Sequence, residues 1–374
     1  MTTSAVRLEV PFVDLKAQYG SIKEEILDAV SRVFDSGHFV GGEYVDKFEE
    51  EFARYAGAKY AVGVSSGTSA LELVLKAADI GPGDEVIVPA NSFFATAEAV
   101  SNIGAVPVFA DVDPKTFHLD VAAVERRISK KTRAIIPVHL YGHAMDLTEL
   151  ERICAHHRLE LIEDAAQAHG VGRKGATVGA SGRLTCFSFY PGKNLGAYGD
   201  AGAITCNDLD RVQKLRILRE HGSPAKYRHS VVGTNARIDA VQAAILSVKL
   251  PYLNGWNESR VRHAKAYAAG FAGSKVGTPA IPPDGEHNFH LFVIRVTGRD
   301  ALKNQLQKIG IQTGIHYPVP LHLTDAYQAL GAPKTGSLPV TEKLAEQILS
   351  LPMYPEMSGE HIDCVVRAVK EFVR

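Results

Sequence analysis

At 374 residues the chain is long enough to bury a large core and to form two domains. Its 41 basic and 42 acidic residues nearly cancel and are mixed along the sequence, which argues against nucleic acid or an anionic membrane as partner. Its four cysteines are scattered with no C-x-x-C pair, which argues against a disulfide framework or a zinc site and fits a reducing cytoplasm.

The start, Met1 to Val10, carries Arg7 and Glu9 and lacks the apolar stretch of a signal peptide. No later segment approaches the roughly 20 apolar residues of a membrane span. From there, short apolar runs alternate with helical periodicity. Tyr60 to Val64 reads as a strand and Ser69 to Ala78 as a helix. Glu85 to Val88 is a strand, then a helix runs from Ala95 to Ile103. Val106 to Ala110 and Arg133 to His139 are strands. Leu147 to His157 is a helix with Leu147, Leu150, Ile153 and Cys154 on one face, opened by a capping-box-like Asp146 and Glu149. Leu159 to Glu163 and Leu184 to Phe187 are strands again. Strands regularly separated by helices predict an α/β fold with a mostly parallel sheet covered on both faces. The pattern changes near Lys249-Leu250-Pro251. A long helix from Trp256 to Phe271 and a Gly/Pro-rich stretch from Gly277 to Gly285 follow. Then come a strand from His290 to Val296 and a helix from Ala301 to Ile309. The reading is a large domain over residues 1–250 and a smaller α+β domain over 251–374.

In an open parallel sheet, ligands bind outside the carboxyl ends of the strands. Asp164 follows the strand Leu159 to Glu163, where a carboxylate can pair with a pyridinium nitrogen or simply cap a helix. Ser65-Ser66-Gly67-Thr68-Ser69 opens a helix after a strand. Its backbone N–H groups make a phosphate cradle, or equally an ordinary capped turn. Ser188 follows the strand Leu184 to Phe187 and can add a hydroxyl. Phe93 and Phe94 follow Glu85 to Val88, where an aromatic can stack on a ring or fill the core. Lys193 lies among glycines and apolar residues. Shielding from water lowers a lysine's proton affinity and makes its amine nucleophilic near neutrality. An amine for a Schiff base, an acid at a strand end and a serine in a polar turn are the parts needed to hold pyridoxal 5'-phosphate (PLP).

Three motifs point elsewhere. Gly63-Val64-Ser65-Ser66-Gly67 matches the G-x-S-x-G nucleophile elbow, and Asp164 and His221 follow in hydrolase order, so a serine hydrolase using Ser65 is the rival enzyme. Gly170-Val171-Gly172-Arg173-Lys174-Gly175 matches a dinucleotide fingerprint, but no helical pattern follows, and a turn between short strands is expected. His156 and His157 near Cys154 lack a second ligand pair and read as a helix surface; no metal is expected.

The ordered set Ser66-Gly67-Thr68, Glu163-Asp164-Ala165-Ala166-Gln167, Ser188-Phe189-Tyr190-Pro191-Gly192-Lys193-Asn194-Leu195-Gly196, Gly199-Asp200-Ala201-Gly202-Ala203 and Asn235-Ala236-Arg237-Ile238-Asp239 resembles the DegT/DnrJ/EryC1/StrS family. These are PLP-dependent aminotransferases of fold type I that act on nucleotide-linked keto sugars. The likeness runs from Pro11-Phe12-Val13-Asp14-Leu15 almost to the end. It implies that Lys193 carries the cofactor and shuttles the proton. Asp164 would face the pyridine nitrogen and Gln167 the ring hydroxyl. Gly67, Thr68 and Ser188 would hold the phosphate, and Phe93 would stack on the ring. Asn235 would reach the phosphate of a neighbouring subunit's cofactor, which implies a homodimer with shared sites. His316 and Tyr317, with Tyr190 and Arg237, would border the sugar nucleotide. The amino donor would be L-glutamate in a ping-pong reaction, with pyridoxamine 5'-phosphate as the form that carries the amine.

Two positions depart from common members. Ala201 stands where many have a second glycine, and Asn194-Leu195-Gly196 follows the lysine where some carbon-4 aminating members have an Ile-Thr-type sequence. The second departure favours 3-keto over 4-keto sugars. A dehydrating subgroup has histidine at the lysine position, so Lys193 favours transamination. A non-catalytic regulator that binds PLP or a sugar nucleotide is the non-enzymatic alternative.

Overall fold

The computed structural model describes residues 9–282 and 286–373. Most of the segment Met1 to Val10 and the end of the Gly277 to Gly285 stretch lie outside the described residues. The strands are β1 (Tyr60–Val64), β2 (Glu85–Pro89), β3 (Val106–Ala110), β4 (Thr132–Ile135), β5 (Glu160–Leu161), β6 (Glu163–Asp164), β7 (Gly172–Arg173), β8 (Ala176–Thr177), β9 (Thr185–Ser188), β10 (Gly202–Cys206), β11 (Phe292–Arg295) and β12 (Ile348–Leu351).

One block of the main sheet has the order β3-β2-β4-β5, all parallel. The other has the order β1-β10-β9-β6, in which β10 alone runs against its neighbours. The blocks join where β5 runs into β6. Ile162 N donates to Ile135 O (3.1 Å), Asp164 N to Pro137 O (3.0 Å) and His139 N to Asp164 O (3.1 Å). The result is the mostly parallel mixed sheet expected from the alternating pattern.

Side chains alternate across the sheet. Val86 and Val88 enter one buried cluster with Leu71, Leu75 and Val100 from the helices Gly67–Ala77 and Phe94–Asn102. Ile87 points the other way, into a cluster with Leu150 and Ile153 of the helix Thr148–His157. Covering both faces explains why these strands read as unbroken apolar runs rather than as alternating ones.

Several element bounds differ from the sequence reading. The helix expected from Ser69 begins at Gly67, because Ser66 Oγ accepts from Ser69 N (3.0 Å) and caps it there. The strand expected from Arg133 to His139 is the shorter β4. Pro137 has no N–H to donate, and the pairing resumes only at Val138 opposite Asp164. The capping box at Asp146 and Glu149 is absent. Asp146 alone accepts from Thr148 N (3.1 Å), and the helix starts at Thr148. The G-x-G-x-x-G stretch is the hairpin of β7 and β8, with Gly175 at φ +80° in its turn.

Towards the C-terminus, β11 and β12 pair antiparallel beneath the helices Arg299–Lys308 and Gly359–Phe372. Their core gathers Phe292, Ile294, Leu302, Leu349 and Val365. Val10 joins this core from the other end of the sequence, donating its N–H to Gly310 O (2.9 Å) and accepting from Gln312 N (2.9 Å). The long helix Leu253–Phe271 links the sheet's core to the C-terminal one. Leu253 lies with the sheet, while Ala264, Tyr267 and Phe271 lie with the C-terminal core.

Candidate active site

The ends of β1, β2, β6 and β9 lie along one edge of the sheet, because β10 is the only reversed strand in its block. Asp164, the last residue of β6, is 5% exposed. Its Oδ2 accepts from Thr96 Oγ1 (2.8 Å) and its Oδ1 from Ala166 N (3.1 Å). Burial pushes this carboxyl up, while the Thr96 hydroxyl, the Ala166 amide and the charge of Lys193 pull it back. A buried carboxyl poised in this way suits the task of keeping a proton on a pyridine nitrogen.

Lys193 follows β9 in a loop pinned by its own N–H, which donates to Tyr190 O (2.8 Å). Burial pulls its ammonium down to about 8, against the opposing attraction of Asp164. The folded chain therefore releases this proton before the unfolded chain does. The group penalises folding below pH 8, and the penalty fades as pH rises from about 8 towards 10.5. The same shift makes the amine a usable nucleophile near neutrality. In the cofactor-free protein, the rate at which trinitrobenzenesulfonate modifies Lys193 should rise with pH to a half-point near 8. Peptide mapping of the modified residue is the check, and a half-point in the ordinary lysine range would contradict the burial argument.

Beside this pair, the first turn of the helix Gly67–Ala77 faces the end of β9. A Cβ on Gly67 would stand 2.7 Å from Ser188 Cβ, so only glycine lets the helix N-terminus come so close to this strand. Half-buried Thr68 follows in the same turn. Free N–H groups at a helix start and hydroxyls beside them favour an anionic group.

Gln167 Nε2 donates to the Tyr317 hydroxyl (3.2 Å), and Gln167 Oε1 accepts from Tyr141 N (2.5 Å). The ring of Phe93 lies 5.6 Å from that of Tyr317, centroid to centroid, yet Phe93 is 55% exposed, leaving a face open to a ligand. His316 Nδ1 meets Ser350 Oγ at 2.8 Å, and its carbonyl accepts from the Tyr141 hydroxyl. Burial, and then the charge of Lys193, lower the His316 imidazole to about 4, so it stays neutral at working pH. The remaining candidates sit on the rim. Tyr190 and Asn235 are exposed, and Arg237 pairs with Glu220 (2.6 Å). The segment of Asn235 runs beside the end of β1, where Ser65 N donates to Ala236 O (3.0 Å).

The hydrolase reading fails on geometry. Ser65 Oγ bonds Ser69 Oγ at 2.8 Å, and among the described residues no imidazole ring hydrogen-bonds Asp164. Among the same residues no group of His, Cys, Asp and Glu side chains could hold a metal ion. Sequence reasoning missed Thr96, which lies far from Asp164 along the chain and carries no local motif. It also missed His169, buried between the rings of Phe187 and Phe189 and lowered to about 3 by burial and then by Lys193.

The DegT/DnrJ/EryC1/StrS aminotransferase family model matches residues 20–370. The chain belongs to this aminotransferase family. Among its relatives is a "pleiotropic regulatory protein" of Geobacillus stearothermophilus, 46% identical over 98% of this chain and 99% of that one. Another is dTDP-3-amino-3,4,6-trideoxy-alpha-D-glucose transaminase of Streptomyces venezuelae, 46% identical over 100% and 98%. The crystal structure of S. venezuelae DesV in complex with a ketimine intermediate superposes with a TM-score of 0.96, at 45% identity over 98% of this chain and 99% of that one. The fold is therefore that of the PLP-dependent aminotransferases, and the cofactor is pyridoxal 5'-phosphate. The residues on the sheet edge fit that group. They supply a buried acid, an amine of lowered proton affinity beside it, and a glycine-opened helix start.

Proposed function

We propose that this family member transfers an amino group from L-glutamate to the ketone of a nucleotide-linked sugar, with ping-pong kinetics. The observation that carries the reading is the placement of half-buried Lys193 near enough to the buried acid Asp164, at the strand ends, for each charge to act on the other. In this reading Asp164 holds the cofactor's ring nitrogen and Gln167 its ring hydroxyl. Gly67, Thr68 and Ser188 hold its phosphate, and Phe93 covers its face. Bound there, PLP supplies an electron sink that stabilises negative charge on the carbon bearing the transferred amine. Lys193 Nζ takes the proton from the α-carbon of the amino donor and later returns one to the sugar carbon that receives the amine. The rim of Tyr190, Arg237, His316 and Tyr317 borders the sugar nucleotide.

A 3-keto sugar is the favoured acceptor, on the strength of Asn194-Leu195-Gly196 after the lysine and of the 3-amino product in the name of the S. venezuelae relative. The role is in amino-sugar biosynthesis, for a polysaccharide or a secondary metabolite. The exposed Phe93 and Tyr190, and the exposed Val231 and Val232 a few residues before Asn235, support a homodimer in which the partner's Asn235 completes each phosphate site. A boundary between residues 250 and 251 and a cytoplasmic setting belong to the same proposal. Among the described residues no helix is long and apolar enough to cross a membrane.

The test is a panel of 3-keto and 4-keto sugar nucleotides with L-glutamate, following 2-oxoglutarate release. Turnover of a 3-keto member with parallel double-reciprocal lines is expected. Release with 4-keto members alone overturns the regiochemistry. No release with any member overturns the sugar-nucleotide acceptor.

A further inference from the structure

Next to Lys193, the side chain of Asn194 turns inward and is 2% exposed. Every polar atom it has is used. Its Nδ2 donates to Asn257 Oδ1 (2.8 Å) and to Asn288 O (3.4 Å), and its Oδ1 accepts from His290 Nδ1 (3.1 Å). Asn257 Nδ2 passes the connection on to His169 O (2.9 Å). Asn288 Nδ2 donates to the same carbonyl (3.0 Å) and to Gln167 O (3.2 Å). His290 is tied back to Asn288, its N–H donating to Asn288 Oδ1 (2.9 Å).

The chain of bonds therefore starts one residue after the amine and ends at the segment Gln167 to His169, just beyond the acid. It passes through the long helix Leu253–Phe271, which carries Asn257, and through the stretch leading into β11, which carries Asn288 and His290. None of this is needed to build the sheet. A simpler core would fill the same space with apolar side chains at no desolvation cost, whereas a buried polar network fixes one geometry only.

We infer that Asn194, held by His290 and Asn257, is a positioning residue: it keeps the Lys193 amine dry and aimed at Asp164, and it ties that aim to the placement of the C-terminal stretch. His290 acts through its tautomer. Asn194 Oδ1 can only accept, so the His290 Nδ1 carries a proton, and burial, then the charge of Lys193, hold the ring neutral. This inference rests on the role proposed for Lys193, and the experiment separates the two.

The full-length protein in cofactor-free form is reductively methylated with [13C]formaldehyde, and the Lys193 resonance, assigned with Lys193→Arg, is titrated. In the parent protein its midpoint is expected near 8. In His290→Phe and Asn257→Ala the loop gains water, and the midpoint should rise by about one pH unit, a tenfold tighter hold on the proton. His290→Gln, whose amide can still donate to Asn194, should stay near the parent value. In the loaded enzyme kcat should fall about tenfold in the first two variants, with KM for L-glutamate within about twofold. Thermal melts confirm folding, and Asn257→Ala, on a helix away from the sheet edge, serves if His290→Phe does not fold. An unmoved midpoint in every folded variant overturns the positioning role. Full activity in Lys193→Ala overturns the proposed function instead.

Discussion

Lys193→Ala is expected to lower kcat/KM by about 10⁴-fold or more, the upper range for one general acid–base group, because in the proposed reaction the residue is both covalent anchor and proton carrier. Its amine is the group that burial brings down to about 8 while Asp164 draws it the other way. The two imidazoles nearby cannot replace it. His316 and His169 are held neutral, lowered to about 4 and about 3, and are too weakly basic to take a carbon-bound proton near neutrality. Lys193→Arg should be equally inactive, since a guanidinium keeps its proton at any working pH. Adding methylamine to the alanine variant should restore a measurable part of the rate, because the deletion leaves room for a small amine. Steady-state kinetics decide the matter, and a variant with more than a tenth of parental activity would remove Lys193 from its proposed role.

Asp164→Asn and Asp164→Ala should separate chemistry from packing. Asparagine keeps the volume, and its carbonyl can still accept from Thr96, but it cannot hold a proton on a ring nitrogen. Turnover should fall about 10²- to 10³-fold, as when one aimed polar group is removed from a site where charge develops. The deuterium isotope effect at the donor's α-carbon should grow as that step becomes slower. Alanine adds a stability loss of about 1–3 kcal/mol, because the Ala166 amide and the Thr96 hydroxyl lose their buried acceptor. Thr96 keeps its contact on the other side, to Ser92 Oγ (2.7 Å). Urea unfolding reads the stability term. Parental turnover in Asp164→Asn would place the essential acid elsewhere.

Much of this site was legible along the chain because each part sits where a local pattern changes. Asp164 and Ser188 close apolar runs, Gly67 opens a helical one, and Lys193 lies between glycines. The sheet was legible for a similar reason, since strands buried on both faces must be apolar throughout. Where local pattern was a poor guide, the cause was a contact from afar or a missing donor. Pro137 ended β4 early, and one serine cap moved a helix start from Ser69 to Gly67. Thr96, His169 and the Asn194 network carry no signal of their own, because single polar residues on a helix or in a loop look the same whether buried or solvated.

The order of residue types along the sequence determined the α/β architecture, the family, and which lysine and which acid to watch. Backbone propensity and apolar periodicity are local, and they survive in a linear string. Only the folded chain decided that Asp164 is dry, that Thr96 steadies it, and that among the described residues no imidazole ring hydrogen-bonds the Ser65 hydroxyl. The tertiary structure also decided that Arg237 is taken up by Glu220 and that Lys193 loses proton affinity. Those properties depend on desolvation and on hydrogen bonds between residues distant in sequence, and both exist only once the strands have brought their ends to a common edge.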